Sequence, residues 1–188
     1  MSPTNPTNPT NPTNPVAYLG LGGNVGDRQG ALEQALSLLV CRPGIQLLRL
    51  SSLYETEPVE ASGGWFFNSV AEVETSLGPD ELLTTLEQVE GACGRPRLRE
   101  RGEARLVDLD LLLYGSRIIA EPHLQVPHPR MHLRRFVLVP LAELDPGLVH
   151  PGLGTRVSDL LAHLSQLPEV RMVAREWFVA QAGERGVP

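Results

Sequence analysis

An α+β domain built on an antiparallel sheet is the architecture this chain predicts, and three observations predict it. Strand-like apolar runs are interleaved with amphipathic helical stretches, yet the order never settles into regular β-α-β repetition. The 188 residues are 41% hydrophobic, enough for one well-cored domain and too few for two ordinary ones. Mean hydropathy is −0.09, which fits a globular chain.

Residues 1–15 are expected to be a disordered tail. Four tandem Thr-Asn-Pro triplets fill 4–15. Proline at every third place blocks helix and sheet, and nothing apolar is available to bury. The folded domain is set at 16–182, with 183–188 as a flexible C-terminus. Val16 to Leu21 reads as a buried strand, and the glycines of Gly20-Leu21-Gly22-Gly23-Asn24 read as a tight strand-to-helix turn. Asp27 is placed to cap a helix whose apolar stripe is Ala31, Leu32, Ala35, Leu36 and Leu39. Pro43-Gly44 ends that helix, and one strand is expected across Ile45 to Thr56.

Phe66 to Leu77 alternates as a strand. Phe67, Ser69, Ala71, Val73 and Leu77 share one face, while Phe66, Asn68, Val70, Glu72 and Glu74 share the other. Pro79-Asp80 opens a second helix with Leu82, Leu86, Val89 and Cys93 as its stripe, and Gly94 stops it. Leu106 to Tyr114 is the next strand, with Val107, Leu109, Leu111 and Leu113 on one face and Asp108, Asp110 and Leu112 on the other. A helical stretch around Phe136 to Leu141, a late helix from Val157 to Leu167 and a closing strand from Arg171 to Val179 complete the set.

Composition removes several function classes. The net charge of −6 argues against general nucleic-acid binding, which relies on basic surface. No apolar run approaches the length of a membrane span, and the N-terminus lacks the order of a signal peptide. Cys41 and Cys93 lie far apart and suit no metal or redox spacing, so a reduced, cytoplasmic setting is expected. All sixteen basic residues are arginine. Without lysine there is no Schiff-base or pyridoxal-phosphate chemistry, and no P-loop.

Within this acidic chain Arg95, Arg97, Arg99, Arg101 and Arg105 crowd one short segment, directly ahead of Asp108 and Asp110. Arginine forks suit a small polyanion. Residues i and i+2 on a strand lie about 6.6 Å apart. Two carboxylates at that distance repel by roughly 2.5 kcal/mol at an effective dielectric of about 20. Solvent, arginine or metal must compensate, and shared Mg²⁺ coordination does so with water and phosphate oxygens in the remaining positions. The alternative is a surface D-x-D neutralised by neighbouring arginines; the arginine segment beside it favours the metal reading. His128 is held stiffly between two prolines and can donate to a phosphate. Phe66, Asn68 and Phe136 suit either ordinary core or a flat heterocycle.

Taken together, YLGLGGNVGDR (18–28), SSLYETEPV (51–59), FFNSVAEVET (66–75), the arginine-to-DLDLLLYG block (94–115) and VPHPRMHLRRFVLVPLAEL (126–144) resemble the 6-hydroxymethyl-7,8-dihydropterin pyrophosphokinase family of folate biosynthesis. The blocks stand in family order and cover essentially the whole chain after the tail. The resemblance implies a ferredoxin-like α+β fold with long catalytic loops. The implied reaction transfers the β,γ-pyrophosphoryl group of ATP to the pterin hydroxymethyl oxygen and releases AMP. It implies Asp108 and Asp110 as ligands of two Mg²⁺ ions, and Arg95 and Arg105 against the phosphates. Glu90, Arg97, Leu111, His128 and Arg134 would line the ATP site. The pterin would lie between Phe66 and Phe136, with Asn68 and the backbone around Thr56 and Val59 reading its edge.

The implied partners are small molecules only, neither nucleic acid nor membrane, and the implied state is a monomer. This chain departs from the family pattern at Gly102, Glu103 and Ala104, where a bulky residue and a proline are usual, and at Leu133 and Arg135. Those changes are expected to loosen the arginine loop. Two competing readings are a D-x-D nucleotidyltransferase that releases pyrophosphate, and a pterin- or ATP-binding module without catalysis.

Overall fold

The computed structural model describes residues 14–58, 64–94 and 106–179. Arg95, Arg97, Arg105 and Val59 lie outside the described residues, as do 1–13 and 180–188. The chain enters at Asn14 and Pro15, which bond the end of a later strand through Asn14 Nδ2 to Glu74 and Thr75 N–H to the Pro15 carbonyl.

β1 (Val16–Gly23) runs two residues further than expected, so Gly22 and Gly23 belong to the strand and the turn begins beyond them. α1 (Arg28–Val40) starts where the sequence placed its cap, with Asp27 Oδ1 accepting the Gly30 N–H at 3.0 Å. Leu32, Ala35, Leu36 and Leu39 are fully buried. Burying each leucine contributes about 1.5–3 kcal/mol.

The single strand expected across 45–56 is two, β2 (Ile45–Leu50) and β3 (Leu53–Thr56). Both lie along the same side of β4 (Phe66–Thr75). Leu50 pairs with Ala71 and Tyr54 with Asn68, so residues 51–53 stand opposite only Ser69 and Val70. This is the geometry of a β-bulge. Ser51 accounts for it: its hydroxyl accepts the Val70 N–H at 2.9 Å and meets Ser69 Oγ at 2.9 Å, while its carbonyl accepts from Trp177 Nε1.

α2 (Pro79–Ala92) opens on a proline at its first position and buries Leu82, Leu86 and Val89. β5 (Asp108–Tyr114) follows. Its facing corrects the sequence expectation at one residue. The pairing with β1 slips between Tyr18↔Leu113 and Leu19↔Leu111, so Leu112 is bulged. Past that point the alternation inverts: Leu113 joins Leu112 in the second core cluster, and Tyr114 returns to the first.

A short hairpin, β6 (Ile119–Ala120) with β7 (Gln125–Val126), leads through a 3-10 turn at Met131–Leu133 into α3 (Arg135–Leu144). The hairpin of β8 (Val149–His150) and β9 (Thr155–Arg156) leads to α4 (Val157–His163). α4 ends four residues earlier than expected. Leu164 is already extended, and Pro168 holds Leu167 out of helical geometry. β10 (Val170–Ala174) closes the set and is also shorter than the expected 171–179; beyond it Trp177 turns into the core.

All sheet pairings are antiparallel, in the order β10-β3-β4-β1-β5 with β2 alongside β4. With β2 and β3 taken as two halves of one strand, β1 to β5 have the β-α-β-β-α-β sequence and order of a ferredoxin-like sheet, to which β10 adds an edge strand. α1 and α2 cover one face and the α3/α4 pair covers part of the other. The rest of that second face, covered by no helix among the described residues, carries the polar residues described next.

Candidate active site

Three neighbouring strands bring the candidate residues into rows. Gly22 of β1 pairs with Asn68 on one side and Asp108 on the other; Gly20 pairs with Val70 and Asp110. All six point to the face shared with Leu112 and Tyr18, opposite α1 and α2. Adjacent strands lie about 4.8 Å apart, so Asn68 and Asp108 stand about 10 Å from each other across a floor made of glycine. A Cβ at Gly22 would come within 3.2 Å of Asn68 Oδ1, and one at Gly20 within 3.4 Å of the Leu112 side chain. Those two positions keep the floor low because they have no side chain. Gly22 was expected beyond the end of the strand, so its place in this floor was not visible in the sequence.

Both aspartates are half-exposed at the sheet edge. Asp110 Oδ2 lies 3.9 Å from Arg134 Nη1, at the entrance of α3, and the Arg134 guanidinium carbon lies 5.5 Å from the Phe136 ring centroid. His128 is tied to the same strand by its N–H, which donates to the Leu112 carbonyl at 2.9 Å. Its Nδ1 accepts the Arg130 N–H at 3.2 Å, which leaves the proton of the neutral ring on Nε2. Burial pulls its pKa below the ordinary 6.5; Asp110 opposes that shift, and Arg134 and Arg130 reinforce it. Asp110, His128, Arg134 and Phe136 are thus gathered at one end of the sheet.

The other end of the row belongs to Asn68, buried, whose Nδ2 donates to Thr56 Oγ1 at 2.7 Å. Thr56 is a strand residue paired to both Phe66 and Val170, so its hydroxyl fixes the Asn68 amide. Phe66, opposite Thr56, is half-buried at the first position of β4, and α3, which carries Phe136, packs against β3 and β4.

Two residues sit differently from the rest. Glu90 is 1% exposed, and its Oε1 accepts the Leu109 N–H at 2.8 Å. It therefore anchors the backbone between the two aspartates. The Leu111 side chain is buried in the core under α1 and α2, on the face opposite Asp110. Sequence reasoning also missed Glu143 of α3, whose carboxylate accepts from Ser52 N–H at 2.9 Å, Ser52 Oγ at 2.7 Å and Tyr54 OH at 2.8 Å. Burial, reinforced by Glu143, raises the Tyr54 pKa. An acidic residue in the apolar run VPLAEL was the available signal.

Among the described residues no group of three or more histidine, cysteine, aspartate or glutamate side chains converges as a closed metal site. Two half-exposed carboxylates on an open floor are instead a partial donor set. They fit a hard cation such as Mg²⁺, which keeps water and takes substrate phosphate oxygens as its other ligands.

The family model for 7,8-dihydro-6-hydroxymethylpterin-pyrophosphokinase matches residues 18–146. A 2-amino-4-hydroxy-6-hydroxymethyldihydropteridine pyrophosphokinase of Bacillus subtilis is 45% identical over 130 residues, 69% of this chain and 77% of that protein. The same-named protein of Synechocystis is 40% identical over 145 residues, 77% of this chain and 74% of its own. Among solved structures, Plasmodium falciparum HPPK-DHPS with pteroate superposes with a TM-score of 0.66 at 14% identity. That match covers 79% of this chain and only 44% of the longer protein, and it speaks for the fold. With the family model spanning most of the folded residues and relatives this similar, the chain belongs to the 7,8-dihydro-6-hydroxymethylpterin-pyrophosphokinase family.

Proposed function

We propose that the glycine-floored face is where this chain carries out the family reaction, with the pterin lying between Asn68 and the two aspartates. The reaction is ATP-dependent pyrophosphoryl transfer to the hydroxymethyl group of 6-hydroxymethyl-7,8-dihydropterin, a step of folate biosynthesis. The observation that carries the placement is the cross-strand row of Asn68, Gly22 and Asp108. It offers an amide for a polar ring edge, a floor without side chains above which the ring can stand between Phe66 and Phe136, and carboxylates at the far end for the reacting group.

In the transfer the hydroxymethyl oxygen bonds to the β-phosphorus of ATP. The bond from that phosphorus to the oxygen bridging it to the α-phosphate breaks, and AMP leaves with that oxygen. The hydroxyl proton departs to solvent or to a nearby carboxylate. Asp108 and Asp110 would hold two Mg²⁺ ions, which when bound neutralise triphosphate charge. Glu90 keeps the two carboxylates in register by holding the Leu109 N–H between them. Arg134, beside Asp110, and the Nε2–H of His128 would donate to phosphate oxygens. We assign the same task to Arg95, Arg97 and Arg105 from their place in the sequence. Phe66 and Phe136 would sandwich the pterin, and we assign Val59 a share in its contacts from its place in the sequence between β3 and β4.

No helix among the described residues is long and apolar enough to cross a membrane. We place the reaction in the cytoplasm, where ATP is supplied, and in a single copy of the chain, which contributes every residue named above.

Incubation with ATP, Mg²⁺ and 6-hydroxymethyl-7,8-dihydropterin tests the reading. Pterin-dependent AMP without free pyrophosphate is expected. Release of pyrophosphate would point to nucleotidyl transfer, which no feature of the site favours.

A further inference from the structure

Arg28 opens α1 on the face of the sheet opposite the aspartates, yet it is bonded to both strands that carry the pterin residues. Its Nη1 donates to Glu55 Oε1 of β3 at 2.9 Å and to the Trp65 carbonyl, just ahead of β4, at 2.7 Å. Its guanidinium carbon lies 3.9 Å from the centroid of the Phe67 ring. Glu55 and Phe67 are direct cross-strand partners, so one cation spans that pair from behind. On the front of the same two strands stand Thr56, Phe66 and Asn68.

Trp65 is held a second time from β10. The Arg171 guanidinium carbon lies 4.9 Å from the Trp65 ring centroid, and Arg171 is itself oriented by Glu169 through bonds of 2.6 and 2.7 Å. Between these groups opens a cavity of about 370 Å³, bordered by Arg28, Glu55, Trp65 and Arg171. Beside that space the two guanidinium groups add to the strand pairing of Phe66 and Phe67 in holding Trp65 and the start of β4.

We propose that Arg28 is a positioning residue for the pterin site, fixing Phe66 and Asn68 from the opposite face of the sheet. The inference rests on the reading of Phe66 and Asn68 as pterin contacts. It asks for an arginine in particular. A lysine could keep the charge pair with Glu55, but its ammonium has no plane to lay on Phe67.

The test is steady-state kinetics with both substrates varied, together with melting temperature, for Arg28→Ala, Arg28→Lys and Asn68→Ala. Arg28→Ala is expected to raise the pterin KM about tenfold, since small misplacements of binding groups are costly, with the ATP KM unchanged. Arg28→Lys should fall between wild type and Arg28→Ala, and it carries the test alone should the alanine variant fail to fold. A lowered melting temperature with an unchanged pterin KM in the Arg28 variants would overturn the proposal and leave Arg28 a purely structural residue. If Asn68→Ala raises the pterin KM in that case, only the inference falls. If Asn68→Ala is also without effect, the pterin reading of the face falls with it.

Discussion

The two faces of one sheet make the most instructive comparison in this molecule. Towards α1 and α2, strands β1, β4 and β5 present Leu19, Leu21, Ala71, Val73, Leu109 and Leu111, all buried. Towards the other side the same strands present Gly20, Gly22, Asn68, Asp108 and Asp110. Neighbours in sequence thus serve opposite ends, because successive strand side chains alternate between faces. The first face supplies stability through apolar area removed from water. Outside the part that packs Tyr18, Val70 and Leu112 against α3 and α4, the second gives up that area and keeps a glycine floor and two repelling carboxylates. Substitutions on the two faces should therefore separate cleanly into losses of turnover and losses of stability.

The largest effect is expected on the open face. Asp110→Ala should lower kcat by about 10²–10³-fold, the scale of losing one preorganised charge-stabilising group. Melting temperature should hold or rise slightly, since the change relieves repulsion with Asp108. Near-normal turnover would break the assignment of this face to catalysis. The mirror-image experiment is Leu36→Ala in α1, fully buried under the sheet. It should cost about 2–5 kcal/mol in denaturant unfolding while leaving kcat per folded molecule unchanged. A smaller effect sharpens the comparison: Gly22→Ala adds one methyl to the floor, 3.2 Å from Asn68 Oδ1. The amide must give by a few tenths of an ångström, and the pterin KM should rise severalfold with stability little changed.

Much of this division was legible in the sequence. The strict alternation of 66–74 assigned both faces of β4 correctly, and the Asp27 cap and the Leu32, Ala35, Leu36 and Leu39 stripe located α1. The aspartate pair was legible because charge in an apolar strand has few purposes. What escaped was set by tertiary context. A bulge at Leu112 sends Leu113 to the other face, and a serine hydroxyl standing in the ladder splits β2 from β3. No local pattern announces either. Glu90 and Glu143 bond partners 19 and 91 residues away, so their purpose exists only once the sheet has formed. Gly22 read as the end of the strand because glycine in a strand is rare unless something must approach closely.

The most direct measurement is a crystal structure of the protein with 6-hydroxymethyl-7,8-dihydropterin, Mg²⁺ and a non-hydrolysable ATP analogue. The account predicts the pterin ring over Gly20 and Gly22, its polar edge on Asn68 and its hydroxymethyl oxygen on the side of Asp108 and Asp110. A pterin bound elsewhere, with the glycine floor empty and the aspartates away from the phosphates, would contradict it.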